Sequence, residues 1–228
     1  MDDSHAQPLL PALEIETGAN PQRAVIWMHG LGADGHDFES VVDELDLSGL
    51  PPVRFVFPHA PMRPITINNG YVMRAWYDLV SLDFSQRRED PAGMRISALQ
   101  VEALIARENS RGIADAHIVL AGFSQGGALA LHTALRHPQP LAGVLALSCY
   151  LPLTDSLEAE AHASNKATPI FMAHGHYDGV IPFAFAKQSA QFMQAQGYAL
   201  EWHEYAMEHS LSLPELRDFE AWLRARLA

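Results

Sequence analysis

Apolar residues along this chain fall into short, nearly unbroken runs, separated by stretches where they recur every three or four positions. The runs AVIWMH (24–29), VRFVFP (53–58), HIVLAGF (117–123), LAGVLALS (141–148), TPIFMAHG (168–175) and YALEWHEY (198–205) are rich in β-branched and aromatic residues. Continuous apolarity of this kind is what a parallel sheet requires when helices cover both of its faces. Helical spacing predicts helices over 36–46, 95–109, 125–137, 183–196 and 213–227. In the third of these, Ala128, Leu131, Ala134 and Leu135 share a face and Pro138 ends the helix. LPALEIETG (10–18) predicts an antiparallel strand at the sheet edge. The alternation predicts an α/β protein: a doubly wound, mostly parallel sheet with helices on both faces, in one domain over 1–228.

Two stretches break that rhythm. Residues 58–93 are too long for a simple connection and are rich in Pro, Gly, Asn and aromatics. Their Met and aromatic content predicts an ordered loop packed over a site. The other stretch, HGLGADGHDF (29–38), is a glycine-rich turn directly after a central strand.

Composition narrows the partners. The chain is 48% apolar, enough for a sizeable core, and its net charge of -12 would repel the phosphates of nucleic acid. The same charge disfavours docking on anionic membranes, and no apolar run is long enough to span a bilayer. Neutral or cationic partners and small substrates remain open. MDDSHAQPLL lacks the basic flank and apolar segment of a signal peptide, so a cytoplasmic location is expected. A single cysteine, Cys149, excludes an internal disulfide, and its apolar context predicts a buried, inert thiol. His174 and His176 form an H-x-H pair without a third convergent ligand in sequence, so neither a metal nor a cofactor is expected.

The chemistry centres on GFSQGG (122–127), a serine between glycines where an apolar strand runs into a helix. A serine becomes a usable nucleophile when its oxygen is exposed and next to a base. A tight strand-to-helix turn provides the exposure, and it brings the two elements too close for side chains at Gly122 and Gly126. Gln125, opening the helix, aims its backbone N–H at an incoming carbonyl oxygen, and the helix N-terminus favours the charge that develops there. The orienting acid and the base are expected after later strands, in that order. Asp178, in the turn AHGHYDGVIP, is favoured over Asp155, which has the look of a helix cap in LPLTDSLEAE. His209, just past the last strand, is favoured over His203, which lies inside it. A second oxyanion donor is assigned to the Leu31 N–H in HGLGADG, where small neighbours let the backbone approach. Gly30, Gly32 and Gly35 also fit a dinucleotide-binding turn, but the next strand, VRFVFP, runs into His59 and Ala60 rather than an acidic residue.

Taken together, HGLGADGHDF (29–38), PHAPMRPITINNGYVMRAWYD (58–78), REDPAG (88–93), GFSQGG, GHYDGVIP (175–182) and MEHS (207–210) resemble the bacterial carboxylesterase and acyl-protein thioesterase (phospholipase/carboxylesterase) family of α/β-hydrolases. The resemblance implies the α/β-hydrolase fold and a triad of Ser124, Asp178 and His209, with Leu31 and Gln125 forming the oxyanion hole. It also implies that the 58–78 loop borders an acyl groove, which makes Met62, Ile65, Trp76 and the adjoining Leu79 substrate-binding candidates. The activity implied is hydrolysis of short- to medium-chain acyl esters, lysophospholipids or protein S-acyl thioesters. The partners are then a small or lipid-like acyl ester or an acylated protein. Homodimer formation is common in the family, although the sequence carries no interface pattern. Gly179 and Ala206 stand where a bulkier residue or proline is usual, which would loosen turns carrying triad members. The competing readings are a peptidase or acyltransferase on the same triad, and a non-catalytic binding protein of the same fold.

Overall fold

The computed structural model describes residues 9–81 and 89–228. Its centre is a seven-stranded sheet made of β1 (Ala12–Glu16), β2 (Arg23–Met28), β3 (Val53–Pro58), β6 (Ile118–Phe123), β7 (Gly143–Leu147), β8 (Ile170–Gly175) and β9 (Leu200–Tyr205). The spatial order is β1-β3-β2-β6-β7-β8-β9, with β1 antiparallel to β3 and the other pairs parallel. All six apolar runs are strands, and the 10–18 segment supplies the antiparallel edge.

Strand alternation splits the core in two. Ile26, Met28, Leu120, Val144, Ala146 and Met172 face the helices α2 (Pro91–Ser110), α3 (Gln125–Arg136) and α5 (Phe183–Ala195). On the opposite face Val25, Trp27, Val119, Leu145 and Phe171 pack against α1 (Val41–Glu44) and α6 (Leu213–Leu227). Helices therefore cover both faces, as the continuous apolarity of the strands requires. The chain reverses its winding direction between β3 and β6, and the C-terminal ends of the parallel strands are where side chains can converge on a ligand.

Three expectations need correction. The helix expected over 36–46 is confined to α1, because N–H groups from Asp37 to Leu45 bond mainly to carbonyls three residues back, in successive turns. The stretch 58–93 is no simple loop: β4 (Met62–Ile65) and β5 (Tyr71–Arg74) form an antiparallel hairpin, and α2 begins at Pro91 with Asp90 as its cap. Residues 82–88 of that stretch lie outside the described residues. Asp155 is in the first turn of α4 (Thr154–Glu160) and does not cap it. The cap position is held by Leu153, with φ of 49°.

Candidate active site

β6 ends where α3 begins, and Ser124 is the single residue between them. Its φ of 54° and ψ of -118° place it where side-chain-bearing residues are rare, a conformation that costs of order 1–3 kcal/mol and persists only when over-determined. Here the Ser124 N–H donates to the Leu147 carbonyl at 2.9 Å, and its own carbonyl accepts from Ala128 at 3.0 Å. A Cβ at Gly122 would collide with the backbone of Gly126, and one at Gly126 with the Met28 carbonyl. Both glycines are thus required by the close approach of strand, helix and neighbouring strand.

The turn carries the hydroxyl to a histidine. Ser124 Oγ lies 2.9 Å from His209 Nε2, and His209 Nδ1 lies 2.7 Å from Asp178 Oδ2. With Nδ1 protonated, the ring donates to the carboxylate and presents a lone pair to the serine hydroxyl. Three turns from different parts of the chain, after β6, β8 and β9, therefore meet at one point. The Asp178 carboxylate is buried, and burial alone would raise its pKa. The His209 ring and the Ile181 and Val180 N–H groups, the latter two each 2.8 Å from Oδ1, outweigh that and hold it below its ordinary value. His174 adds support: its Nε2 is 2.9 Å from the Ile181 carbonyl and 3.2 Å from Asp178 Oδ2, and burial lowers its pKa, keeping the ring neutral. His176 points away, 3.4 Å from Glu204, so the H-x-H pair diverges across the strand end. His203 stacks on Phe171 at 4.1 Å between ring centres, on the opposite face from α5.

Leu31 and Gln125 border the same cavity as Ser124 and His209, and neither backbone N–H donates to a carbonyl or side chain among the described residues. Gly32, at φ of 80°, lets the loop turn so that its N–H bonds to the Arg74 carbonyl of the hairpin. Behind the loop sits a buried network. Burial pushes the His29 imidazole down to about 4, so the neutral ring donates from Nδ1 to the Gly30 carbonyl and accepts the Ala60 N–H at Nε2. The Trp76 indole donates to the His29 carbonyl at 2.8 Å. The Gln125 side chain accepts the Trp76 N–H and donates to the Tyr77 carbonyl. Turn, oxyanion-side loop and residues 76–77 are locked together.

The cavity measures about 280 Å³, and its wall is mostly apolar. Of the four substrate-binding candidates, the structure places only Leu79 on it. Met62 is 58% exposed on the hairpin, while Ile65 and Trp76 are fully buried in packing and cannot touch a ligand here. The residues that do line it and went unseen in the sequence include Tyr77, Phe123, Tyr150, Val180 and Ile181. Their shared signal was position: each follows or ends an element at the C-terminal edge of the sheet or adjoins a triad turn. The arrangement sets a serine hydroxyl against a histidine held by a carboxylate, beside a mostly apolar cavity that Leu31 and Gln125 border.

Fold and constellation together define an α/β-hydrolase, an enzyme of the serine hydrolase class. The chain belongs to the phospholipase/carboxylesterase family, whose model matches residues 11–227. It is 34% identical to acyl-protein thioesterase 1 of Yarrowia lipolytica over 224 residues, covering 96% of this chain and 99% of that one. It is 39% identical to acyl-protein thioesterase 1 of Neurospora crassa over 225 residues, covering 95% and 92% of the two chains. The crystal structure of Arabidopsis thaliana SOBER1 superposes with a TM-score of 0.85 at 32% identity, over 90% of this chain and 99% of that one. These relatives are fungal and plant proteins, so they support the family and not its bacterial branch in particular.

Proposed function

We propose that this protein is a cytoplasmic, single-domain serine esterase that hydrolyses short- to medium-chain acyl esters and thioesters through Ser124, His209 and Asp178. The carrying observation is the unbroken hydrogen-bonded chain from Ser124 Oγ through both His209 nitrogens to Asp178. Ser124 Oγ attacks the acyl carbonyl carbon as His209 Nε2 takes its proton. The carbonyl oxygen becomes an oxyanion facing the Leu31 and Gln125 N–H groups. Collapse expels the alcohol or thiol, which receives the proton from His209, and leaves the acyl group on Ser124. Water, deprotonated by the same nitrogen, then attacks the acyl-enzyme and releases the carboxylic acid and free Ser124. Asp178 stays ionised throughout and stabilises the imidazolium.

A cavity of about 280 Å³ is at the small end of ligand sites, which run from about 300 to 1,000 Å³, and this favours short to medium acyl chains. The names of the relatives support both ester and thioester substrates. The test is a kcat/KM series over p-nitrophenyl esters, a lysophospholipid and an S-acylated peptide, with Ser124→Ala as control. The proposal expects turnover with a preference for shorter chains, and at least a ~10³-fold loss in the variant. Substantial turnover by pure Ser124→Ala protein would overturn the mechanism.

A further inference from the structure

The cavity around Ser124 has one formally charged group that the hydrolytic mechanism does not use. Asp37, at the end of the loop after β2, borders it together with Ala33 and Phe123. Among the described lining residues it is the only carboxylate, and none carries an ammonium or guanidinium group. The Asp37 side chain is exposed and forms no hydrogen bond or ion pair with a described residue. The charged group that acts on it is acidic: Asp34 raises its pKa and itself accepts the His36 N–H, while the His36 ring is engaged by Glu39.

The position of Asp37 relative to the reaction follows from which group His209 serves. The leaving group must depart beside His209 Nε2, which protonates it. The His209 ring packs on Phe123 at 4.8 Å, and Phe123 packs on Phe38 at 5.7 Å. This ties the 37–38 segment through Phe123 to the ring that serves the leaving group, and Asp37 borders the same cavity as that ring. The rest of the wall, Leu79, Val180 and Ile181 among it, is mostly apolar.

Resting on the hydrolase reading above, we infer that Asp37 makes the site selective for acyl esters and thioesters whose leaving group carries a positive charge. A cation there meets a carboxylate that no described residue pairs, whereas an anion meets it unscreened by any described cationic side chain. Although Asp37 is exposed, partial desolvation of its carboxylate at the cavity wall and then the Asp34 carboxylate raise its pKa, and a bound cation would offset the repulsion from Asp34. The chain's net charge of -12 acts in the same direction at longer range, raising the encounter rate of cationic substrates.

The experiment compares three thioesters of one acyl group by thiol release: butyrylthiocholine, its neutral isostere S-(3,3-dimethylbutyl) thiobutyrate, and the anionic S-butyryl-3-mercaptopropionate. The wild type should show kcat/KM in the order cationic, neutral, anionic. Asp37→Asn should lower the cationic-to-neutral ratio by about 5-fold (~1 kcal/mol), the size of one charge pair in a water-exposed site. Asp37→Lys should carry the preference over to the anion, and ionic strength of about 0.5 M should shrink the wild-type ratio. A pair of S-butyryl peptides, with lysines or glutamates beside the acylated cysteine, tells whether a peptide-borne cation is selected as well as a small ammonium. Ratios unmoved by both substitutions, while all three thioesters are cleaved, would overturn this inference and leave the hydrolase reading standing. Failure of the wild type to cleave any of the three would overturn both.

Discussion

Replacing Trp76 by phenylalanine separates two roles that the sequence could not distinguish, a wall of the acyl groove and a brace behind it. The indole is fully buried, and its N–H donates to the carbonyl of His29, the residue before Gly30 and Leu31. Phenylalanine keeps most of the ring but leaves that carbonyl without its donor. A buried polar group left unmet costs about 1–3 kcal/mol. The lost ring volume adds to this, since complete truncation of a buried Trp costs about 3–5 kcal/mol. We therefore expect Trp76→Phe to lose about 2–4 kcal/mol in urea denaturation, from a typical total of about 5–15 kcal/mol, with Tm falling about 2–4 °C for each kcal/mol. Because Trp76 braces the loop carrying Leu31 and does not touch the cavity, activity per folded molecule should fall by the same factor for acetate, butyrate and octanoate esters. A groove wall would behave otherwise. Each CH₂ that it buries is worth about 0.8 kcal/mol, nearly 4-fold in kcat/KM. A loss that grows with chain length, or an unchanged urea midpoint, would refute the reasoning.

Gly126→Ala should destabilise strongly, by upwards of about 1–3 kcal/mol, because its methyl is driven into the Met28 carbonyl rather than into a movable side chain; a wild-type Tm would contradict this. Glu215, the N3 residue of the α6 capping box, is fully buried, and burial raises its pKa to about 8. The folded state then holds a proton that the unfolded chain releases near pH 4.5. Its contribution is complete below that pH and is lost at up to about 1.4 kcal/mol per pH unit as pH rises toward about 8. Glu215→Gln keeps the capping geometry, so its urea stability should lack this slope and exceed the wild type's at pH 8; parallel stability curves for the two proteins would be the contrary result.

Much of this architecture was legible because a parallel sheet writes itself into the chain. An interior strand covered on both faces has few polar positions to spare, and all six runs are strands of one sheet, the last, β9, being a part-exposed edge strand that carries Glu201 and Glu204. The strand-to-helix turn at Ser124 was equally visible, since close approach leaves only glycine at 122 and 126. What escaped lies in places where neighbours, not local pattern, decide. The hairpin of 62–65 and 71–74 lay inside a stretch that read as an ordered loop, because each of its short strands is defined by its partner across the turn and not by its own pattern. Trp76 was a groove candidate because the family resemblance implies that the 58–78 loop borders an acyl groove. That its indole faces inward is fixed by the carbonyl of His29, which is 47 residues away in sequence. Gly179 drew notice as a departure from the family pattern, whereas the contacts that hold Asp178 Oδ1 are made by the N–H groups of Val180 and Ile181, whose side chains carry no sign of it in sequence.

The central claim is that Ser124 is a nucleophile activated by His209. Its most direct test is the rate and position of covalent labelling by a fluorophosphonate, read by intact mass and peptide mapping. The account predicts one adduct per chain, on Ser124, formed rapidly in the wild type and in folded His203→Ala, and slowed by orders of magnitude in His209→Ala. Labelling at another residue, or a fast-labelling His209→Ala beside an inert His203→Ala, would contradict it.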